Sequence, residues 1–185
     1  MLIFSIILVF IIAILYGCYA GVIKARNQLD EALSGIDVQL KRRTDLVPNA
    51  LKIAQKFMTH EKNMFTEITK LRTEVLKESV GTAKRFMAES KLQDALKQFV
   101  VSVENYPQLK SDTAMVKVMD TYSDVEDNIA ASRRFYNTAL RELKNKIQIF
   151  PGSLFKSYAG DVSKFSYFQA SDSDKKTINA DDYLK

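Results

Sequence analysis

The chain has 185 residues, enough for one domain and a short additional segment. Its six glycines and three prolines argue against a many-stranded β fold, because such folds need frequent turns. The net charge of +5 is spread along the chain, whereas nucleic-acid binding proteins usually carry a basic stripe on one face. The single cysteine, Cys18, excludes an internal disulfide and a cysteine-based zinc site.

The first segment, 1–23, has no charged side chain and is followed by Lys24. As a helix it would extend about 34 Å, which is enough to cross a hydrocarbon core about 30 Å thick. We therefore predict a single transmembrane anchor at 1–23. The basic residues that follow it favour an external N-terminus and a cytoplasmic domain by the positive-inside rule. These residues are Lys24, Arg26, Lys41, Arg42 and Arg43.

A cleaved signal peptide and a lipoprotein are the two alternatives to an uncleaved anchor at this segment. A cleaved signal peptide normally begins with basic residues and has a shorter apolar stretch, and neither feature is found here. The sequence Leu15-Tyr16-Gly17-Cys18 resembles a lipobox, in which the cysteine is lipidated after cleavage. The bulky Tyr16 fits that motif poorly, but a lipoprotein at Cys18 remains the alternative.

Apolar residues from Leu29 onward recur at alternating spacings of four and three, which predicts helices packed against one another. Pro48 interrupts this pattern, and Asp45 can cap a helix start. We therefore predict a helix break at Asp45 and Pro48; a single kinked helix to about Ser79 is the alternative. Similar patterns predict helices over 83–104 and 112–149.

The region after Pro151 is rich in aromatic residues but has no clear period, which predicts an irregular strap packed on the helices. The fold class predicted is all-α: a transmembrane helix, then an antiparallel four-helix bundle with an irregular aromatic C-terminal strap. The domain would cover 24–170, and a polar tail would cover 171–185.

The search for a catalytic site finds no complete constellation. His60 and Glu61 begin a zinc-protease motif, but Met64 stands where the second histidine is needed. One histidine also cannot supply a di-iron bundle site. We therefore expect no catalytic residues, no metal, no cofactor and no small-molecule substrate.

Two charged groups are the candidate functional residues. The run Lys41, Arg42 and Arg43 is either a solvated helix end or a contact for anionic lipid headgroups. Arg43 and Glu61 fall on the apolar seam, and together with charged residues of the helix predicted over 112–149 they predict an interhelical polar network, because a buried charge needs a partner. Its members are Arg43, Glu61, Glu126, Arg133 and Arg134.

Several motifs together resemble the bacterial LemA family. They are I-D-V-Q-L-K-R-R-T-D-L-V-P-N at 36–49, H-E at 60–61, Y-P-x-L-K at 106–110, E-x-x-I-x-A-x-R-R-x-Y-N at 126–137 and F-P at 150–151. The resemblance extends over roughly 22–168. It departs at Leu33 and Gly35, where the family usually has a tryptophan and a polar residue, and between Met115 and Val125. It implies a membrane-anchored helical bundle in the bacterial cytoplasmic membrane, without an enzyme activity, a cofactor or a settled role.

We expect a non-enzymatic scaffold or adaptor whose partners are the lipid bilayer and either a membrane protein or a second copy of the chain. A protein that binds or shapes an anionic membrane surface is the alternative. Nucleic acid is not expected as a partner.

Overall fold

The computed structural model describes residues 1–168, and the regular elements within that range are all helical. Five α-helices are present: α1 (Leu2–Ala54), α2 (Lys62–Lys77), α3 (Ala83–Val103), α4 (Pro107–Lys110) and α5 (Thr113–Gln148). A 3₁₀ helix, Gly152–Ala159, follows. The all-α class is confirmed, and the predicted tail at 171–185 lies outside the described residues, as do the last two residues of the predicted domain.

The predicted helix break at Asp45 and Pro48 is wrong, because α1 continues through both residues to Ala54. Proline has no N–H, so the carbonyl of Thr44, four residues earlier, loses its usual donor inside the helix. The Nε of Arg72, on α2, donates to that carbonyl at 3.0 Å. A side chain from another helix therefore replaces the missing bond and stabilises a proline within α1.

The chain reverses instead at 55–61, so the alternative of one kinked helix to Ser79 is also wrong. This connection contains neither glycine nor proline, and the spacing of three and four continues through it, with Glu61 as a polar residue on the seam. Met58 lies in the connection and is almost completely buried among residues of α1, α2 and α3. The turn is therefore favoured by burial of the Met58 side chain in the core, and not by a helix-breaking glycine or proline.

The later helix boundaries follow from local capping. The Thr82 hydroxyl accepts a hydrogen bond from the backbone N–H of Arg85 at the start of α3. The carboxylate of Asp112 accepts from two backbone N–H groups at the start of α5. Both helices begin and end within one residue of the predicted positions. The short α4 was not predicted; it begins at Pro107, a residue that suits the first turn of a helix.

The buried apolar residues form two separate cores. The anchor-side core combines 22–40 of α1 with 125–147 of α5, Phe86 of α3 and the strap residues to Phe168. The distal core combines 47–54 of α1 with α2, most of α3, α4 and Met115 of α5. Lys146 lies beside Gly21, whereas Glu126 bonds Arg43, so α5 runs back along α1 toward the anchor segment.

The strap is partly regular, which differs from the prediction. Its first half is the 3₁₀ helix, which folds back on α5 so closely that a Cβ at Gly152 would lie 2.2 Å from the carbonyl oxygen of Lys146. Its second half is irregular. The Tyr136 hydroxyl donates to the carbonyl of Ser166 at 3.1 Å, and the Asn137 side chain bonds the backbone of Phe168 twice, at 3.0 Å each.

The start of α1 is long and apolar enough to cross a membrane, and no residue of this apolar stretch is buried against the rest of the described chain. The large side chains between Met1 and Phe10 are exposed. Side-chain packing of α1 begins only near Tyr19, where the 3₁₀ helix contacts it.

The contact between Arg72 and Thr44 predicts an energetic coupling with Pro48. Arg72→Ala should destabilise the protein by about 1–3 kcal/mol, because it leaves a buried carbonyl without a donor. In a Pro48→Ala background the restored N–H bonds Thr44, so the same substitution should cost clearly less. A double-mutant cycle of urea unfolding in detergent micelles measures the difference. Equal costs in the two backgrounds would show that Arg72 does not compensate the proline.

The buried Tyr136 predicts a loss of stability in alkali. Burial first, and the nearby Tyr167 second, raise the pKa of Tyr136 from 10.0 to about 12. The folded chain therefore keeps a proton that the unfolded chain loses, so the free energy of unfolding should fall from about pH 10 to pH 12 by on the order of 2 kcal/mol. Tyr136→Phe should remove this part of the pH dependence. Denaturant titrations at several pH values, compared with the unsubstituted protein, check it.

Candidate functional site

A buried ionic group lies between α1, α3 and α5, centred on Arg43. The Arg43 side chain is fully buried, and its Nη1 donates to Glu126 Oε1 at 2.9 Å. Its Nη2 donates to the Glu89 carboxylate and, at 3.3 Å, to the Glu89 carbonyl oxygen. A guanidinium on α1 therefore holds one carboxylate on each of two other helices.

A second arginine completes the environment of Glu89. The Nε of Arg85 donates to Glu89 Oε1 at 2.8 Å, one turn earlier on α3. The Nη1 of Arg85 also donates to the carbonyl oxygens of Val75 and Glu78, at 2.5 and 3.1 Å, where α2 ends. Two positive and two negative side chains thus balance, as buried charges require. We call Arg43, Arg85, Glu89 and Glu126 the ionic layer.

The ionic layer separates the two cores. On α1, Leu40 belongs to the anchor-side core and Val47 to the distal core, with Arg43 between them. On α3, Glu89 lies in the same way between Phe86 and Leu92. A charge moved by one helical turn would enter an apolar core, so the layer fixes the axial register of these helices.

The electrostatics of Arg43 follow from two opposing effects. Burial by itself lowers the pKa of a guanidinium, because it disfavours the charged form. The carboxylates of Glu89 and Glu126 act in the opposite direction and more strongly, so the pKa of Arg43 is raised above its usual value. Arg43 therefore stays charged in the folded protein.

The other predicted network residues lie elsewhere. Glu61 lies at the start of α2 and accepts a hydrogen bond from the Tyr106 hydroxyl at 3.2 Å, away from Arg43. Arg133 donates to the Gln93 side chain at 2.9 Å, which joins α5 to α3 beside the layer. Arg134 is exposed. The structure brings together Arg43 and Glu126 of the five predicted residues, and places Glu61 and Arg134 outside the layer.

The predicted basic run is divided between environments. Lys41 is exposed and pairs with Asp45 at 3.1 Å, and Arg42 is exposed. Arg43 is buried, so its prediction as a lipid-facing residue is wrong: a side chain enclosed by α3 and α5 cannot reach headgroups. The other two residues lie on α1 at least about 27 Å beyond Ile23 along the helix axis.

Sequence reasoning missed Arg85 and Glu89. The signal was present, because the apolar face of α3 (Leu92, Leu96, Phe99 and Val103) continues backward in steps of three and four to Glu89 and Arg85. Because Arg85 and Glu89 are charged, the pattern of apolar residues on this face begins only at Leu92.

A groove of about 570 Å³ runs beside the layer, between α3 and α5. Most of the exposed lining area is apolar, and it comes from Val100, Val103, Met115, Val116 and Met119. Charged residues also line the groove: Lys97, Glu104, Lys110, Asp120 and, from the ionic layer, Glu126. Tyr122 also lines it. Burial, followed by the charge of Glu126, raises the pKa of Tyr122, and its hydroxyl makes no hydrogen bond that meets ordinary geometry.

Residues that could hold a metal do not cluster within 1–168: no group of three or more His, Cys, Asp or Glu side chains is close enough for that purpose. His60 is exposed in the connection between α1 and α2. Cys18 lies in the apolar part of α1 and is a free thiol.

The ionic layer predicts that Glu89, rather than Glu61, supports the fold. Glu89→Gln leaves Arg43 and Arg85 with one carboxylate between them, and breaking a buried pair costs about 3–5 kcal/mol. Glu61 was predicted to belong to the network but lies outside the ionic layer, so Glu61→Gln should cost less than about 1 kcal/mol. Thermal and urea unfolding of the two variants in the same detergent compares them. Similar losses for both would contradict the assignment.

Comparison with known proteins identifies the family. No curated protein matches the chain. A family model, described as the LemA family, matches residues 32–181, which contain α2 to α5, the 3₁₀ helix and the last part of α1. The match covers most of the chain and includes every residue of the ionic layer. The chain therefore belongs to the LemA family.

Proposed function

We propose that this protein is a non-enzymatic scaffold, anchored in the bacterial cytoplasmic membrane, whose helical domain binds another membrane protein through the groove between α3 and α5. Membership of the LemA family agrees with a role at the cell envelope. The groove is the observation that carries the proposal, because it is a large surface with an apolar floor and charged residues around it, beside the ionic layer.

The groove suits the apolar face of a helix. Helix-in-groove recognition uses a trough between two helices, lined by apolar side chains. Met119, which is partly exposed, supplies a flexible and polarisable part of the wall that adapts to different partners. Val101 and Val116 add exposed apolar surface on α3 and α5. The occupant we favour is an amphipathic helix of a membrane protein; the same face of a second copy is the alternative occupant.

The length of α1 between the anchor and the groove determines how far from the membrane a partner would bind. The groove lies level with Val47 and Ala50 of α1, since a small cavity joins these residues to Val118 and Met119. Val47 is about 36 Å along α1 from Ile23. The bound helix would therefore belong to an extramembrane part of the partner. In the arrangement we favour, the domain is an antiparallel four-helix bundle on the cytoplasmic side, with the N-terminus outside.

The lack of an enzyme activity is part of the proposal. The conserved chemistry of hydrolases and metalloenzymes needs a nucleophile beside a base, or several metal ligands together. The charged residues of the ionic layer are instead paired with one another, so their role is to hold the helices together. No cofactor and no small-molecule substrate is proposed.

Site-specific photo-crosslinking in native membranes tests the scaffold role. A photoreactive residue at Met119, inside the groove, should give a discrete crosslinked product, whereas one at the exposed Val38 of α1 should not. Val116→Asp should abolish that product without altering stability, because Val116 is exposed at the groove wall. Val38→Asp is the matched control.

The same experiment distinguishes the alternatives. A product of twice the chain mass identifies a second copy as the occupant. Equal crosslinking from Met119 and Val38, or a Met119 product that persists with Val116→Asp, would contradict the groove. The alternative function, binding of an anionic membrane surface, depended on the run at Lys41, Arg42 and Arg43. Of this run, Lys41 and Arg42 are the residues available to contact lipid headgroups, because Arg43 is buried.

A further inference from the structure

An exposed apolar surface lies beside the anchor, at the opposite end of the domain from the groove. Four large side chains at the end of α5 and on the 3₁₀ helix form it, and we call them the collar: Ile149, Phe150, Leu154 and Tyr158. They are exposed to 65, 76, 62 and 57% respectively. Adjacent apolar side chains at such exposure usually mark a surface that is covered in use.

The collar is fixed against the last turns of the apolar part of α1. The Tyr19 ring contacts the rings of Phe155 and Tyr158 edge-on, with centroids 5.8 and 5.1 Å apart. Arg26 Nη1 donates to the carbonyl oxygen of Ala159 at 3.1 Å. The collar therefore lies at the level of Tyr19 to Arg26.

That level is where the membrane surface must be if 1–23 spans the bilayer. The apolar segment ends at Lys24, and its length of about 34 Å only slightly exceeds a hydrocarbon core of about 30 Å. Aromatic and aliphatic side chains at this depth sit at the boundary between headgroups and acyl chains. The surface of the collar thus continues the membrane-facing surface of the anchor.

The charges around the collar suit anionic headgroups. Residues 143–160 contain Lys144, Lys146 and Lys156 and no acidic residue. Lys146 reaches the anchor at Gly21, and Lys156 lies on the 3₁₀ helix itself. Lysines beside an apolar surface attract an anionic leaflet over short distances.

We propose that the collar inserts into the headgroup and upper acyl-chain region of the membrane leaflet that faces the domain. The collar would then be a second membrane contact beside the anchor. This inference rests on the anchor in the proposed function, but not on the groove or on a protein partner. With two contacts, the anchor and the collar, the domain has a fixed tilt to the membrane. The groove between α3 and α5 is then held at a fixed distance from the membrane and in a fixed orientation.

Tryptophan fluorescence tests the proposal, because the chain has no tryptophan of its own. Three variants of the full chain each carry one: Phe150→Trp in the collar, Phe10→Trp in the anchor and Phe135→Trp as the matched control. Phe135 is similarly exposed on α5 but about 20 Å further from the membrane. Each is reconstituted at high lipid-to-protein ratio in vesicles of phosphatidylcholine and phosphatidylglycerol, with or without bromine on the upper acyl chains.

The collar predicts that Phe150→Trp emits at shorter wavelength than Phe135→Trp, loses most of its emission with brominated lipid and is protected from aqueous acrylamide. Phe135→Trp should behave in the opposite way. Loss of emission in Phe10→Trp but not in Phe150→Trp would overturn the collar and leave the anchor intact. Failure of both to respond would overturn the anchor, and the collar with it. Protection from acrylamide without quenching by bromine would identify a second copy as the cover and also overturn the proposal.

Discussion

The pairing of Arg43 with two carboxylates is the interaction on which the arrangement of this domain depends. A buried guanidinium is tolerated only where its charge is matched, and Glu89 and Glu126 supply two carboxylates from two other helices. Both terminal nitrogens of Arg43 donate hydrogen bonds, whereas its Nε is buried without a partner among the described residues. Because Arg85 holds Glu89 from the other side and reaches the end of α2, one connected group of side chains joins four helices. A shift of one helical turn would replace apolar contacts with other apolar contacts, but it would separate these ion pairs and move a charge into an apolar core.

The same principle explains how α1 remains a single helix. A proline inside a helix leaves one carbonyl without its donor, and an isolated helix would kink or end there. Here α2 lies close enough for Arg72 to donate to the Thr44 carbonyl. Polar contacts from neighbouring helices therefore maintain α1 at two consecutive turns, at Arg43 and at Pro48. The result is an uninterrupted connection between the apolar start of the chain and the distal core.

The two ends of the domain that α1 connects differ in their surfaces. The anchor-side end has the 3₁₀ helix packed on Tyr19 and an exposed apolar surface beside the apolar start of α1. The distal end has the groove and the connections between helices. In the function we propose, the first contacts lipid and the second contacts protein, and the stiff α1 holds them a fixed distance apart. A scaffold needs this geometry more than it needs reactive groups.

The sequence by itself determined the features that arise within a segment. Periodicity and capping residues such as Thr82 and Asp112 defined α3 and α5, because a helix start depends on side chains only three residues away. The uncharged run to Ile23 defined the apolar helix, and the motifs identified the family. Arg43 was recognisable as a charge on the apolar seam of α1, and Glu126 as a charged residue of α5 that could be its partner. Tertiary structure alone decided that α1 passes through Pro48, that the chain turns near Met58, and that Glu89 rather than Glu61 meets Arg43. In each case a contact distant in sequence outweighs the local preference, and such a contact exists only after the helices have packed.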